Sequence, residues 1–224
     1  MTNPQKASDG SNAKTIEESI NETIVNNRVQ TLASLPSYED AITNILGSQS
    51  RAKAIYGLNA TKTGIEKGLV HVFAINNLRN PVNNRDVAEL LSVLLPRVQA
   101  GTKLLISPMD LLFAQGSLIA KLNPGVDPEQ AMDLLWEAFK EYFNNIEPGG
   151  SILVNKIQHF LMLTNALNYV DDFRVNATVN KIPMANAYTL AQAYSLEISL
   201  VSSTNQVYEG TRGELEPINY DPET

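Results

Sequence analysis

The chain has 224 residues, 43% of them hydrophobic, and carries a formal net charge of −7 with a pI near 4.9. That length holds one large or two small domains with a buried core, and the hydrophobic share excludes disorder throughout. The acidic balance argues against a nucleic-acid binder, which needs cations facing phosphate, and against an anionic membrane surface as partner.

Cysteine is absent, which removes disulfides, thiolate metal sites and a thiol nucleophile and suits a reducing compartment. The first residues, Met1 to Lys14, are polar and lack the apolar run of a signal peptide. No apolar run approaches the ~20 residues of a membrane span. Asn-X-Thr triplets at Asn59 and Asn176 carry no meaning without secretion.

In chain order, Met1 to Lys14 reads as a disordered lead, rich in Ser, Asn, Asp and Gly. Thr15 and Glu18 form a capping-box pair that predicts a helix. Its apolar stripe is narrow: Ile16, Ile20 and Ile24, extended by Val25 and Val29. A stripe that thin docks on something else, either the chain's own globular body or another chain, so Ile16, Ile20 and Ile24 are the candidate partner-binding residues.

After Leu35-Pro36, Ser37 opens a short helix through Tyr38, Ile42, Ile45 and Leu46 to Gly47. Arg51 to Leu58 suits a first strand leading to a turn around Gly64. Gly68 to Ile75 is almost continuously apolar, the pattern of a strand buried on both faces. A helix follows Asn83-Asn84 through Val87, Leu90, Leu91 and Leu94, and Pro96 predicts a kink or an end near Leu95. Thr102 to Leu122 reads as extended, with strands at Leu104–Ile106 and Leu118–Leu122 and Gly116 as a bulge.

From Asp127 the pattern sharpens. Asp127 is placed as an N-cap, Pro128 at the first helical position and Gln130 at the capping-box position. Met132, Leu135, Trp136, Phe139 and Phe143 share one helical face. Pro148-Gly149-Gly150 ends that helix, and a second runs from about Val154 to Asn165. From Asp172 to Lys181 residues alternate strictly, Phe173, Val175, Ala177 and Val179 against Arg174, Asn176, Thr178 and Asn180. Ile182-Pro183 marks a turn, Tyr188 to Val201 a last strand region, and 202–224 a flexible acidic tail. Interleaved helices and strands predict an α+β fold of two-layer sandwiches of mixed sheet and helices. The expected divisions are 1–34 (lead and interaction helix), 35–66 (short helix and linking strand), 67–201 (α+β domain) and 202–224 (tail).

Candidate chemistry is sparse. His71 lies in the most apolar strand, where a satisfied core histidine is the expectation, and His159 falls on a solvent-facing helix side. They share no ligand-type neighbours, so no metal site is assigned. Asp171-Asp172 reads as a turn leading into a strand, since strand neighbours point to opposite faces. Pro148-Gly149-Gly150-Ser151 follows a helix and lacks the lysine of a phosphate loop. Asn123 to Asp127 lacks the alternating ligands of a calcium loop, and no nucleophile elbow is present. No catalytic, cofactor-binding or metal residue is assigned.

The order of these landmarks resembles the C-terminal half of the Baseplate J-like family, wedge proteins of contractile-tailed phages and related injection machines. Gly68-Leu69-Val70-His71-Val72-Phe73 is similar to the family's opening strand, and Asp86 to Leu91, running to Ala100-Gly101-Thr102, to its first helix and turn. Ile106-Ser107-Pro108-Met109 is similar to its next strand, Asn123 to Asp127 and the helix to Phe143 to its capped helix, and Pro148 to Ile152 to its Gly-Gly turn. Tyr169 to Phe173 is similar to the step into its late strand, and Pro36-Ser37-Tyr38-Glu39-Asp40 to its helix start, with Ser37 where the family has Thr.

The resemblance runs from Pro36 to Val201. It implies a non-enzymatic wedge subunit that pairs with itself and with other baseplate wedge and hub proteins. Such subunits form a ring around the tail hub, in a virion assembled in host cytoplasm, and rearrange when the sheath contracts. The alternative from another class is a soluble α+β enzyme or small-molecule-binding module with one polar-lined pocket.

Overall fold

The computed structural model describes residues 32–213. The predicted lead, the Thr15 helix and its Ile16, Ile20 and Ile24 stripe lie outside the described residues. The fold is α+β: helices α1 (Leu35–Leu46), α2 (Asn84–Leu94), α3 (Pro128–Asn144) and α4 (Val154–Met162) pack on mixed sheets.

The first sheet has the order β1-β2-β3, with β1 (Arg51–Leu58) antiparallel and β3 (Lys103–Pro108) parallel to β2 (Ile65–Ile75). Ser34 caps α1 and shares a reciprocal capping box with Ser37, so the helix starts two residues before the serine that the sequence marks as its opening. Asn83 and Asp86 make the same box on α2, and Leu95-Pro96-Arg97 closes it as one 3₁₀ turn, as the proline requires. Leu32, Tyr38, Ile42, Val70, Val72, Leu90 and Leu94 form the core between these helices and the sheet. Residues 69–75 of β2 are buried on both faces, hence their unbroken apolar run.

The second sheet has the order β6-β4-β8-β9. Its central pair, β4 (Asp110–Leu122) and β8 (Thr189–Val201), is parallel; β6 (Leu167–Val175) and β9 (Val207–Gly213) pair antiparallel at the edges. Helices α3 and α4 cover one face, burying Met132, Leu135, Phe139, Phe143, Ile157 and Leu161 against Leu118, Phe173, Leu196 and Ile198. Asp127 caps α3 by accepting from the Gln130 backbone N–H. A short pair, β5 (Ser151–Ile152) with β7 (Ile182–Pro183), brackets α4.

Several expectations are corrected. The strand expected over Asp172–Lys181 is β6, shifted back to Leu167–Val175. Asn176 and Ala177 turn away with φ of 48° and 61°, so the alternation of Ala177 and Val179 continues past the paired backbone without burial. Asp171-Asp172 lies inside β6, where Asp171 is the extra residue between the partners of Ile119 and Ala120. The bulge lies in the partner strand, at Tyr194 of β8 opposite Ala114 and Gln115, and not at Gly116 of β4. Gly116 is required by packing instead: a Cβ there would sit 2.5 Å from Leu196 Cδ1 and 3.1 Å from the Phe139 ring. Residues 207–213, expected within a flexible tail, form β9. Arg212 ties that strand to Glu129 and Asp133 on α3.

The two sheets meet at one residue. Pro108 of β3 pairs with Ala74, and Asp110 of β4 pairs with Thr189, so only Met109 separates them. The Met109 N–H donates to Ala74 O and the Asp110 N–H to Tyr188 O, which places the sheet-to-sheet step within continuous hydrogen bonding. The expected division at residue 66 falls inside β2, whereas the two large cores part at Met109.

Candidate functional site

Two places stand out: the seam between the sheets and the face of the second sheet that is uncovered among the described residues. At the seam, Phe73, Ile75, Met109, Tyr188 and Leu190 form a third buried cluster. His71 is fully buried there, on the same side of β2 as Phe73, and stacks on its ring at 4.1 Å. Its Nδ1 lies 3.1 Å from Leu58 O and its Nε2 2.8 Å from Ser107 Oγ. A carbonyl only accepts, so Nδ1 carries the proton and Nε2 accepts from the serine hydroxyl. Burial lowers the imidazole pKa below its ordinary 6.5; the carbonyls of Leu58 and Asn59 pull upward, and the Lys62 ammonium adds to the fall.

Lys62 closes the seam from outside. Its Nζ is 2.8 Å from Asp110 Oδ1 and stands over the rings of Tyr188 and Phe73, 4.8 and 5.2 Å from their centres. Gln192 Nε2 donates to Arg79 O at 2.6 Å, and Arg51 Nη2 to Asn144 O at 3.0 Å. The halves are thus stitched at three separate points. A hollow of about 270 Å³ opens beside the stitch, walled by Pro81, Pro108, Met109, Leu111 and Phe113. His71 is a satisfied structural histidine; it faces protein on both nitrogens and has no route to a substrate.

The uncovered face of the second sheet is an open trough. One part, of about 870 Å³, runs past Gln115, Ser117, Arg174, Tyr194 and Glu197; a second, of about 520 Å³, past Ile119, Ser199 and Glu209. Strict alternation along β4 makes it: Ala114, Leu118 and Ala120 are buried toward the helices while Gln115, Ser117 and Ile119 are exposed. Asn176 finishes one end. Its side chain accepts from the Gln115 N–H at 2.8 Å and donates to Phe113 O, which holds the edge of β4 where β6 stops. Arg174 is bonded to Asp172 at 2.8 Å.

Among the described residues no group of three or more His, Asp or Glu side chains comes together as a metal site. His159 is exposed on α4 and distant in the fold from the buried His71. The sequence alone had singled out neither Ser117 nor Glu209 as facing one trough. The signal for Ser117 was the alternation from Ala114 to Leu122, stronger than the segment chosen for a strand.

The fold has a known likeness. It is similar to that of a chain in the cryo-EM structure of the anti-feeding prophage (AFP) baseplate, 6-fold symmetrised, with a TM-score of 0.52 and 10% sequence identity. The match covers 79% of this chain and 41% of that one, so this chain spans about two fifths of the length of its structural counterpart. At that identity the likeness is one of fold. No family model matches the sequence, and no curated protein sequence does.

Proposed function

We propose that the chain is a structural subunit of a contractile injection baseplate, of the Baseplate J-like wedge type, and does no catalysis. The observation that carries this reading is the fold shared over 79% of the chain with a contractile-system baseplate chain. It is supported by the ordered landmarks from Pro36 to Val201, which resemble the Baseplate J-like family independently of the coordinates.

In this reading the subunit pairs with itself and with other wedge and hub proteins in a ring around the tail hub, within a phage-like tail particle. Ile16, Ile20 and Ile24 dock into a neighbour, since a narrow stripe gains most when a partner covers it. The stitched seam suits a part that passes load: two sheets joined through Met109, with Lys62–Asp110 and Gln192–Arg79 beside the joint, move as one body when a ring rearranges.

Purified particles from the producing cell test the reading. The chain is expected as a stoichiometric component beside sheath and tube proteins, and deletion of residues 1–31, which spares the buried Leu32 and the Ser34 cap, is expected to abolish its incorporation while leaving the remaining domain folded. A chain absent from every particle, or incorporated equally without that segment, counts against the reading or against the role of the stripe respectively. The apolar hollow beside Met109 favours a second reading, a small-molecule-binding module; a metabolite retained through purification at one equivalent supports it.

A further inference from the structure

We infer that the uncovered face of the β6-β4-β8-β9 sheet is the surface on which two copies of this chain pair. The inference rests on the reading of the chain as a self-associating subunit and adds the surface that does it.

The first argument is the strand order. The central pair β4·β8 is parallel and lies between antiparallel edge strands, so the sheet presents one broad, continuous face of four strands. Among the described residues α3 and α4 cover one face only.

The second is the chemistry along the strands. One end of the face is apolar: Tyr169 on β6 and Val207 on β9 are 45% and 55% exposed, and Ile119 on β4, nearer the middle, is 41% exposed. Register links that end across the whole sheet, from Tyr169 through Lys121 and Val201 to Val207. The other end is polar, with Ser117, Arg174, Glu197 and Thr211 in register.

The third is the chemistry across the strands. Cations lie on the β6 and β4 side, Arg174 and Lys121; Glu197 and Glu209, on β8 and β9, make no salt bridge among the described residues. Asp172 stands on the same side and pairs with Arg174, so Lys121 is the excess cation there.

These two gradients choose the symmetry. A two-fold axis lying along the strands between β4 and β8 returns each row to its own level and exchanges the two sides. The apolar end then meets the apolar end, β6 of one copy lies over β9 of the other, and the Arg174 and Lys121 side covers the Glu197 and Glu209 side. Such an isologous contact is self-complementary in both directions at once, and it yields an aligned sheet-on-sheet sandwich. Four strands at about 4.8 Å spacing and seven residues at about 3.3 Å rise give a projected face of roughly 450 Å² per copy. That is at the small end for a specific interface, so pairing of the free chain is expected at micromolar concentrations.

The chain has no cysteine, so a single introduced thiol reports unambiguously. Ser199, on β8 beside the axis, lies close to its own mate in the dimer. Full-length chain carrying Ser199→Cys, treated with a short bis-maleimide, is expected to give a covalent dimer. Glu137→Cys, on the outer side of α3 where that side chain is 68% exposed, is expected to give none. Arg174→Glu should weaken pairing about tenfold in sedimentation equilibrium, and adding Glu197→Lys should restore most of it.

Equal cross-linking from both thiols, or a strict monomer at all concentrations in which Ser199→Cys labels but does not cross-link, overturns the interface. A Ser199→Cys thiol protected from maleimide in a monomer also overturns it, since part of the same chain then covers the face. Failure is separable from failure of the baseplate reading: a monomer that still enters tail particles sinks only the interface, and a face-paired dimer absent from particles sinks only the baseplate reading.

Discussion

Phe73 stacks on Tyr188 with ring centres 4.2 Å apart and planes 17° from parallel, and so joins the middle strand of the first sheet to the start of β8 in the second. His71 on one side and the Lys62 ammonium over the rings complete the stack. The joint between the two cores is therefore a packed aromatic column, not a linker.

Removing Phe73 should loosen the coupling as well as the core. Phe73→Ala is expected to cost about 3–5 kcal/mol, the range for a buried phenylalanine. Trp136, the single tryptophan, packs on the second core and reports that half alone, whereas far-UV circular dichroism reports both. The wild type should give coincident urea transitions by the two probes, and Phe73→Ala transitions that separate. Coincident transitions in the variant mean the joint does not couple the halves.

His71 should make stability fall in mild acid. Its pKa in the fold is lowered below 6.5, so the unfolded chain binds the proton more readily. The contribution is whole above the unfolded value and is lost as pH falls from about 7 toward 5. His71→Gln keeps a donor toward Leu58 O and cannot take up a proton. Urea midpoints of the wild type should decline over that range more steeply than those of the variant. Parallel declines would show that His71 does not control the slope.

Arg79 is expected to be a liability. Both terminal guanidinium nitrogens are shut from solvent with no hydrogen-bond partner among the described residues, and burial, with the nearby Arg51 cation, lowers its pKa. An unpartnered buried charge costs more than an apolar group of similar length. Arg79→Met should raise stability by about 1 kcal/mol or more, read from the urea midpoint. A loss of stability would mean the cation is satisfied in solution.

Gly149 and Gly125 both hold positive φ, 73° and 83°, but differ in surroundings. A Cβ on Gly149 would lie 2.7 Å from Ala187 Cα and 2.8 Å from its carbonyl oxygen, whereas one on Gly125 meets nothing within 4 Å. Gly125→Ala should cost about 1 kcal/mol from backbone strain alone, and Gly149→Ala clearly more, because backbone must move. Equal shifts in thermal midpoint would show that the 149–187 contact yields freely.

Much of the fold was legible because its signals are local. The Pro96 stop, the Asp127 cap and amphipathic face of α3 and the double burial of 69–75 follow from residues within a few positions of one another. Chain order alone also set the α+β class, since strands alternate with helices.

Tertiary pairing decided the rest. Nothing within 207–213 marks it as a strand; β8 offers the hydrogen bonds and α3 the carboxylates for Arg212, and the segment orders there. The alternation from Phe173 to Val179 reads as one strand, yet β6 ends at Val175 because Asn176 turns to bond β4 across the sheet. The uncovered trough is likewise a product of strand order: Arg174, Ser117, Glu197 and Thr211 come from four strands and meet only because β6-β4-β8-β9 is the sequence of neighbours in space. Local chemistry fixes which residues turn outward, and long-range hydrogen bonding fixes which of them share a surface.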